Sequence, residues 1–220
     1  MAYQDHRPDT PAEAVAELLA GNLRFVSGQR IHPHQDAESR AALANAQRPF
    51  AVVFGCSDSR MAAEIIFDRG LGDLFVVRTA GHIIGAEVLA SIEYGVTVLG
   101  APLVVVLGHD SCGAIAAAYD AMTGATPDPR LRAIIDRVTP SIQHAHDQKI
   151  TSADDIAVVH VQRTVEMIIH RDTALVDAVA AGRCVVMGMT YRLADGRVTV
   201  ISSEPPAFAA AAAVGGAGAP

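Results

Sequence analysis

The chain has 220 residues, 50% of them apolar and 19% charged, and its 17 basic against 24 acidic residues leave a formal net charge of −7. That apolar content supports one sizeable core and excludes a disordered chain, and without a basic run to track phosphates no nucleic-acid partner is expected. The start, Met1 to Pro8, lacks the basic opening and apolar core of a secretory signal, and charges or glycines break every later apolar run short of membrane-spanning length, so the expectation is a soluble cytoplasmic protein with no membrane partner.

Thr10-Pro11-Ala12-Glu13 combines an N-cap, a proline at the first helical position and a capping-box glutamate, and Val15, Leu18, Leu19 and Val26 follow at helical spacing. An amphipathic helix ending near Gly28 is therefore predicted. Ile31 to Asp36 reads as extended, because Pro33 restricts its predecessor, and a second helix is predicted from about Glu38 to Ala46. This N-terminal arm, about residues 1–48, is expected to need another surface to cover it.

Strands are predicted at about Phe50 to Phe54, Leu74 to Arg78, Leu103 to Leu107 and Cys184 to Tyr191. Helical patterns separate them near Ala63 to Phe67, Ala86 to Leu99, Gly113 to Met122 and Asp154 to Arg171. Such alternation predicts an α/β fold, with a mainly parallel sheet flanked by helices. The terminal stretch from Cys184 through Asp195-Gly196 to Ile201 reads as a hairpin that adds an antiparallel edge strand. Pro129 to Asp147 is helical in pattern, with Pro140 expected to kink or divide it. One domain is expected over residues 1–204, followed by a low-complexity Ala/Gly-rich tail at 205–220. No internal repeat of convincing period is present.

Two segments carry chemistry. Cys56-Ser57-Asp58-Ser59-Arg60 follows the first predicted strand, and His109-Asp110-Ser111-Cys112 follows the third. In extended chain the side-chain period is two, so Cys56 and Asp58 point the same way, while His109 and Cys112 can share a face across a strand-to-helix turn. An open α/β sheet places ligands beyond the carboxyl ends of its strands, and thiolates with imidazole suit tetrahedral zinc, so these residues predict one Cys-Asp-His-Cys zinc cluster. Gly55, Gly108 and Gly113 flank the pairs and permit tight turns. Three cysteines cannot pair completely within one chain, which fits a reducing compartment, and Cys184 in its apolar run reads as a buried core thiol. No strand is followed by a Gly-x-Gly-x-x-Gly fingerprint, and a Cys/His protease would leave Cys112, Asp58 and Arg60 without roles.

With Cys-x-Asp-x-Arg followed by His-x-x-Cys, the chain closely resembles the β-class carbonic anhydrases, from the N-terminal helix to the terminal hairpin. The resemblance implies that Cys56, His109 and Cys112 hold one zinc ion per chain and that Asp58 and Arg60 form the neighbouring catalytic dyad. Gln47 matches the glutamine that hydrogen-bonds bicarbonate. Phe75, Ala80 and Tyr94 fall where the family builds a small apolar substrate pocket, with Gln47, Phe75 and Tyr94 supplied across a dimer interface. The chain departs from the family pattern at Arg78-Thr79-Ala80-Gly81-His82 and at Met61-Ala62-Ala63, which alters the pocket wall and leaves the ligands intact. His82 reads as an exposed loop histidine, with a proton carrier near the site mouth as the alternative.

The implied reaction is reversible hydration of carbon dioxide to bicarbonate and a proton through zinc-bound hydroxide, with Asp58 orienting the hydroxide and Arg60 keeping the carboxylate off the metal. The implied assembly is a homodimer or a dimer-based tetramer. Two alternatives stand beside it: a related hydrolase of carbon disulfide or carbonyl sulfide, and a non-enzymatic protein whose zinc is closed by Asp58 as fourth ligand.

Overall fold

The computed structural model describes residues 7–206 and Phe208; the tail expected beyond Glu204 lies almost wholly outside the described residues. Five strands form one sheet: β1 (Ala51–Cys56), β2 (Leu74–Thr79), β3 (Leu103–His109), β4 (Val185–Tyr191) and β5 (Val198–Glu204). Their order across the sheet is β2-β1-β3-β4-β5. The first four run parallel, and β5 pairs antiparallel to β4 as the terminal hairpin predicts, with a bulge at Gly188/Met189. Gly196 turns this hairpin at φ 75°, a left-handed conformation that glycine adopts without Cβ strain.

The sheet is covered on both faces, and period two sorts its residues between them. Val53, Val105 and Met187 point to one face, while Val52, Phe54, Val104, Val106 and Val186 point to the other. Helices α1 (Pro11–Ser27), α3 (Ala63–Ile66), α5 (Gly113–Met122) and α6 (Arg132–Asp147) cover the first face through Leu18, Ile66, Ile115 and Ile142. Helices α4 (Ala86–Thr97) and α8 (Thr173–Ala180) cover the second, joined by α7 (Ala153–Arg171), whose Val161, Val165 and Ile168 pack there. Burial on both sides is why β1, β3 and β4 read as continuous apolar runs.

Three expectations are corrected. The arm does not stand off as a whole, because Ala14, Val15 and Leu18 of α1 are buried in the chain's own core. Asn22 ties the helix down further: its Nδ2 donates to Ile66 and Gly196 carbonyls and its Oδ1 accepts from Val198 N–H. The predicted second helix is shorter, α2 (Ala37–Ala42), with no buried residue, so this part of the arm lies open, as does the stretch from Gly28 to His32 before it. Pro140 does not divide α6, which runs unbroken from Arg132 to Asp147 because Ile135, Val138, Ser141, Ile142 and Ala145 hold one buried face across the missing backbone donor. A helix absent from the sequence reading, α8, starts where Asp172 caps Leu175 N–H.

Candidate metal centre

Cys56 is the last residue of β1 and His109 the last of β3, and these strands are hydrogen-bonded neighbours through Gly55 opposite Leu107. Cys112 is the N-cap of α5. Ser111 takes a left-handed φ of 51° in the turn that brings Cys112 back toward β1, and its N–H donates to Asp154. The ligating atoms of Cys56, His109 and Cys112 lie within 4.8 Å of one another, and all three residues are buried.

The chemistry of these donors fits a thiophilic cation. His109 Nδ1 lies 2.7 Å from the carbonyl of Asp110, which can only accept, so Nδ1 carries the proton and Nε2 turns a lone pair toward the sulfurs. That Nε2 is buried, and no hydrogen-bond partner for it stands among the described residues. The two thiols share a proton. Cys56 ionises far more readily than an ordinary thiol because Cys112 bonds to it, with His109 and the Gly81 N–H adding to this against burial. The resulting thiolate, with burial, holds Cys112 high. A second buried thiolate beside the first needs a compensating cation, and a dication meets that need. Burial disfavours a charged His109, but the Cys56 thiolate, the Asp110 carbonyl and the Asp58 carboxylate together outweigh it and raise its pKa.

Asp58 sits beside this cluster with its carboxylate gripped by Arg60. Arg60 donates from Nε to Oδ1 at 2.9 Å and from Nη2 to Oδ2 at 2.7 Å, and its backbone N–H adds a third bond to Oδ1. This fork holds the Asp58 carboxyl well below the usual carboxylate range. Its Oδ2 remains 4.0 Å from His109 Nε2, near the cluster but outside the three-residue group.

Of the remaining predicted residues, Phe75 and Tyr94 are not gathered here. Gln47 is exposed on the segment before β1. Ala80 is exposed and directly precedes Gly81, whose N–H donates to Cys56 Sγ at 3.3 Å. Phe75 and Tyr94 pair with each other at 6.0 Å between ring centroids, and Tyr94 is 44% exposed. Phe75 lies opposite Val52, four residues back from Cys56 along the strands, or about 13 Å at roughly 3.3 Å per residue. They thus stand apart from their own chain's cluster.

His82 overturns its expectation. It is only 1% exposed, because the turn at Ala80–His82, with Gly81 at φ 65° and His82 at φ 39°, swings the ring inward against Phe54 and His160. Burial and the nearby histidines push its pKa well down, so it is a neutral core residue. Cys184 is fully buried, with burial pushing its thiol up to about 12.

Residues missed in the sequence support the site from behind. Arg78 donates from Nε to the Cys56 carbonyl and from Nη2 to the Asp58 carbonyl, fixing the loop between them. Asp110 Oδ1 accepts from Leu193 N–H, tying the His109 loop to the strand-end hairpin. An arginine at the exit of a neighbouring strand was the available signal for the first, and nothing local marked the second.

Residues 51–198 match the family model described as carbonic anhydrase. A carbonic anhydrase of Mycolicibacterium smegmatis is 54% identical over 193 residues, covering 87% of this chain and 94% of that protein. Carbonic anhydrase 2 of Mycobacterium tuberculosis is 49% identical, covering 88% of this chain and 94% of the relative. In fold, the chain superposes with a TM-score of 0.67 on one of two tetrameric β-carbonic anhydrases of the filamentous ascomycete Sordaria macrospora, at 24% identity over 83% of this chain and 94% of that one.

Proposed function

The chain belongs to the carbonic anhydrase family, in its β class, and from that premise we propose how its own residues carry out the family's reversible hydration of carbon dioxide to bicarbonate. The observation that carries the reading is the convergence of two cysteine sulfurs and a histidine Nε2 within 4.8 Å at two strand ends, beside a carboxylate turned aside by arginine. Cys56, His109 and Cys112 hold one zinc ion per chain. A zinc ion so held supplies Lewis acidity and makes a nucleophile available near neutral pH.

The chain's other residues then divide the work. Asp58, kept ionised by Arg60, can only accept a hydrogen bond, so it orients the attacking group by taking its proton into such a bond. Arg60 restrains the carboxylate from closing the ligand set. Carbon dioxide is linear and uncharged, and the apolar faces of Phe75, Ala80 and Tyr94 suit it. The Gln47 amide holds the oxygen on which charge grows. Because Phe75 and Tyr94 stand far from their own chain's cluster, they serve, with Gln47, the cluster of a second copy.

The assembly is accordingly a homodimer or a dimer-based tetramer. Exposed Ile31, Leu71 and Tyr94 supply apolar surface for it, and the Sordaria neighbour is tetrameric. Residues through about 204 form the single catalytic domain. No helix among the described residues is long and apolar enough to cross a membrane. The three free cysteines support a reducing cytoplasmic setting.

Stopped-flow carbon dioxide hydration combined with zinc analysis tests the reading. One zinc per chain is expected, with activity lost to a chelator and restored by zinc. Full hydration by metal-free protein, or stoichiometric zinc without hydration, would overturn it.

A further inference from the structure

Behind the cluster the structure buries a polar chain that the reaction does not use directly. Ser141 of α6 lies 2.8 Å from His160 Nδ1, and His160 Nε2 lies 3.0 Å from the carbonyl of Gly81. Both side chains are buried, His160 at 1% and Ser141 at 2% exposure. Gly81 N–H, on the far side of the same residue, donates to Cys56 Sγ.

The direction of every bond follows from the partners. A carbonyl can only accept, so His160 Nε2 carries a proton. Burial pushes the His160 pKa down to about 4, which leaves the ring neutral at neutral pH with a single proton. Its Nδ1 is then a lone pair, and the Ser141 hydroxyl donates to it. The tautomer is held from both ends. The loop is confined on its other side by helix α5, since a Cβ built on Gly81 would come 2.7 Å from Ala114 Cβ.

We infer that Ser141 and His160 are positioning residues for the Cys56 thiolate: they grip the Gly81 carbonyl and so aim its N–H at the sulfur. This rests on Cys56 being a zinc ligand, as proposed above. An N–H directed at a ligating sulfur draws charge from it and fixes its position, and partners of this kind control how firmly a metal is held. An apolar pair of similar shape could replace Ser141 and His160 as packing, but it would leave the buried Gly81 carbonyl without its donor. What an apolar pair cannot do is hold a carbonyl at a set angle.

The test uses the zinc-loaded protein and the variants His160→Gln, His160→Met and Ser141→Ala. Glutamine can present an N–H where His160 Nε2 stands, whereas methionine has similar reach and no donor. Two readouts other than activity apply: the rate of zinc release to excess chelator, and the thiolate-to-metal charge-transfer absorption after cobalt(II) substitution. His160→Met is expected to release zinc about 10-fold to 100-fold faster and to shift the absorption. Ser141→Ala should move both in the same direction by less, and His160→Gln should stay close to wild type. Equal loss in His160→Gln and His160→Met would show packing alone and overturn the inference. Wild-type release and absorption in Ser141→Ala would overturn it too, even if His160→Met fails to fold. A wild-type protein that binds no zinc would instead defeat the metal reading itself, visible before any variant is made.

Discussion

Replacing Gly81 by alanine should damage the site and the fold together, by an amount the structure allows to be estimated. Gly81 sits at φ 65°, ψ 24°, where an L-residue pays about 1–2 kcal/mol for its Cβ. That Cβ would lie 2.7 Å from Ala114 Cβ in the first turn of α5, so loop or helix must shift, at the roughly 1–3 kcal/mol typical of overpacking. The total is about 2–5 kcal/mol, which for a chain of this size lowers the melting temperature by about 4–20 °C. Any shift also moves the Gly81 N–H away from Cys56 Sγ, so zinc should be held less firmly. The assay is thermal unfolding at fixed protein and free zinc concentrations, because bound metal and oligomer both raise apparent stability. Adding Ala114→Gly removes the collision and leaves the backbone strain, so the double variant should recover much of the loss. Gly81→Ala melting at the wild-type temperature with normal zinc retention, or a double variant no better than the single, would refute this account of the loop.

The remaining expectations are simpler. Cys56→Ser, His109→Ala and Cys112→Ser should each lose most bound zinc and carbon dioxide hydration, while Cys184→Ser keeps both; metal analysis of the purified variants decides, and zinc loss from the Cys184 variant would contradict the ligand assignment. Stability should fall as pH drops from about 6.5 toward 4: His160 has a depressed folded-state pKa of about 4 against 6.5, so the unfolded chain binds the proton first, costing roughly 3 kcal/mol once pH is below both values. Unfolding midpoints across this range should show a shallower pH slope for His160→Gln, and an unchanged slope would remove His160 from the cause. Tyr94→Asp should shift the protein toward monomer in sedimentation and lower activity without reducing zinc, whereas a fully active monomer would refute a shared site.

Much of this molecule is written in short stretches of chain. The strands announce themselves because residues buried on both faces are apolar without interruption, and the first helix because Thr10 and Glu13 close a capping box that the structure contains. Cys56 and Asp58, and His109 and Cys112, are legible as pairs because each pair is local, and because strand ends in a parallel sheet converge on one edge. What the tertiary structure alone decided is which distant groups meet them. His160 reaches a carbonyl 79 residues away, and Asn22 a strand 176 residues away, and no local pattern encodes such encounters. The same holds for His82, whose sequence neighbours resemble an exposed loop but whose backbone, at positive φ, turns it into the core. Pro140 illustrates the reverse case, where a strong local signal to break a helix yields to the packing of a buried face. Local sequence sets the period of burial and the chemistry at element ends, but side-chain orientation in loops and the partners of buried polar groups depend on free energies shared among elements far apart in the chain.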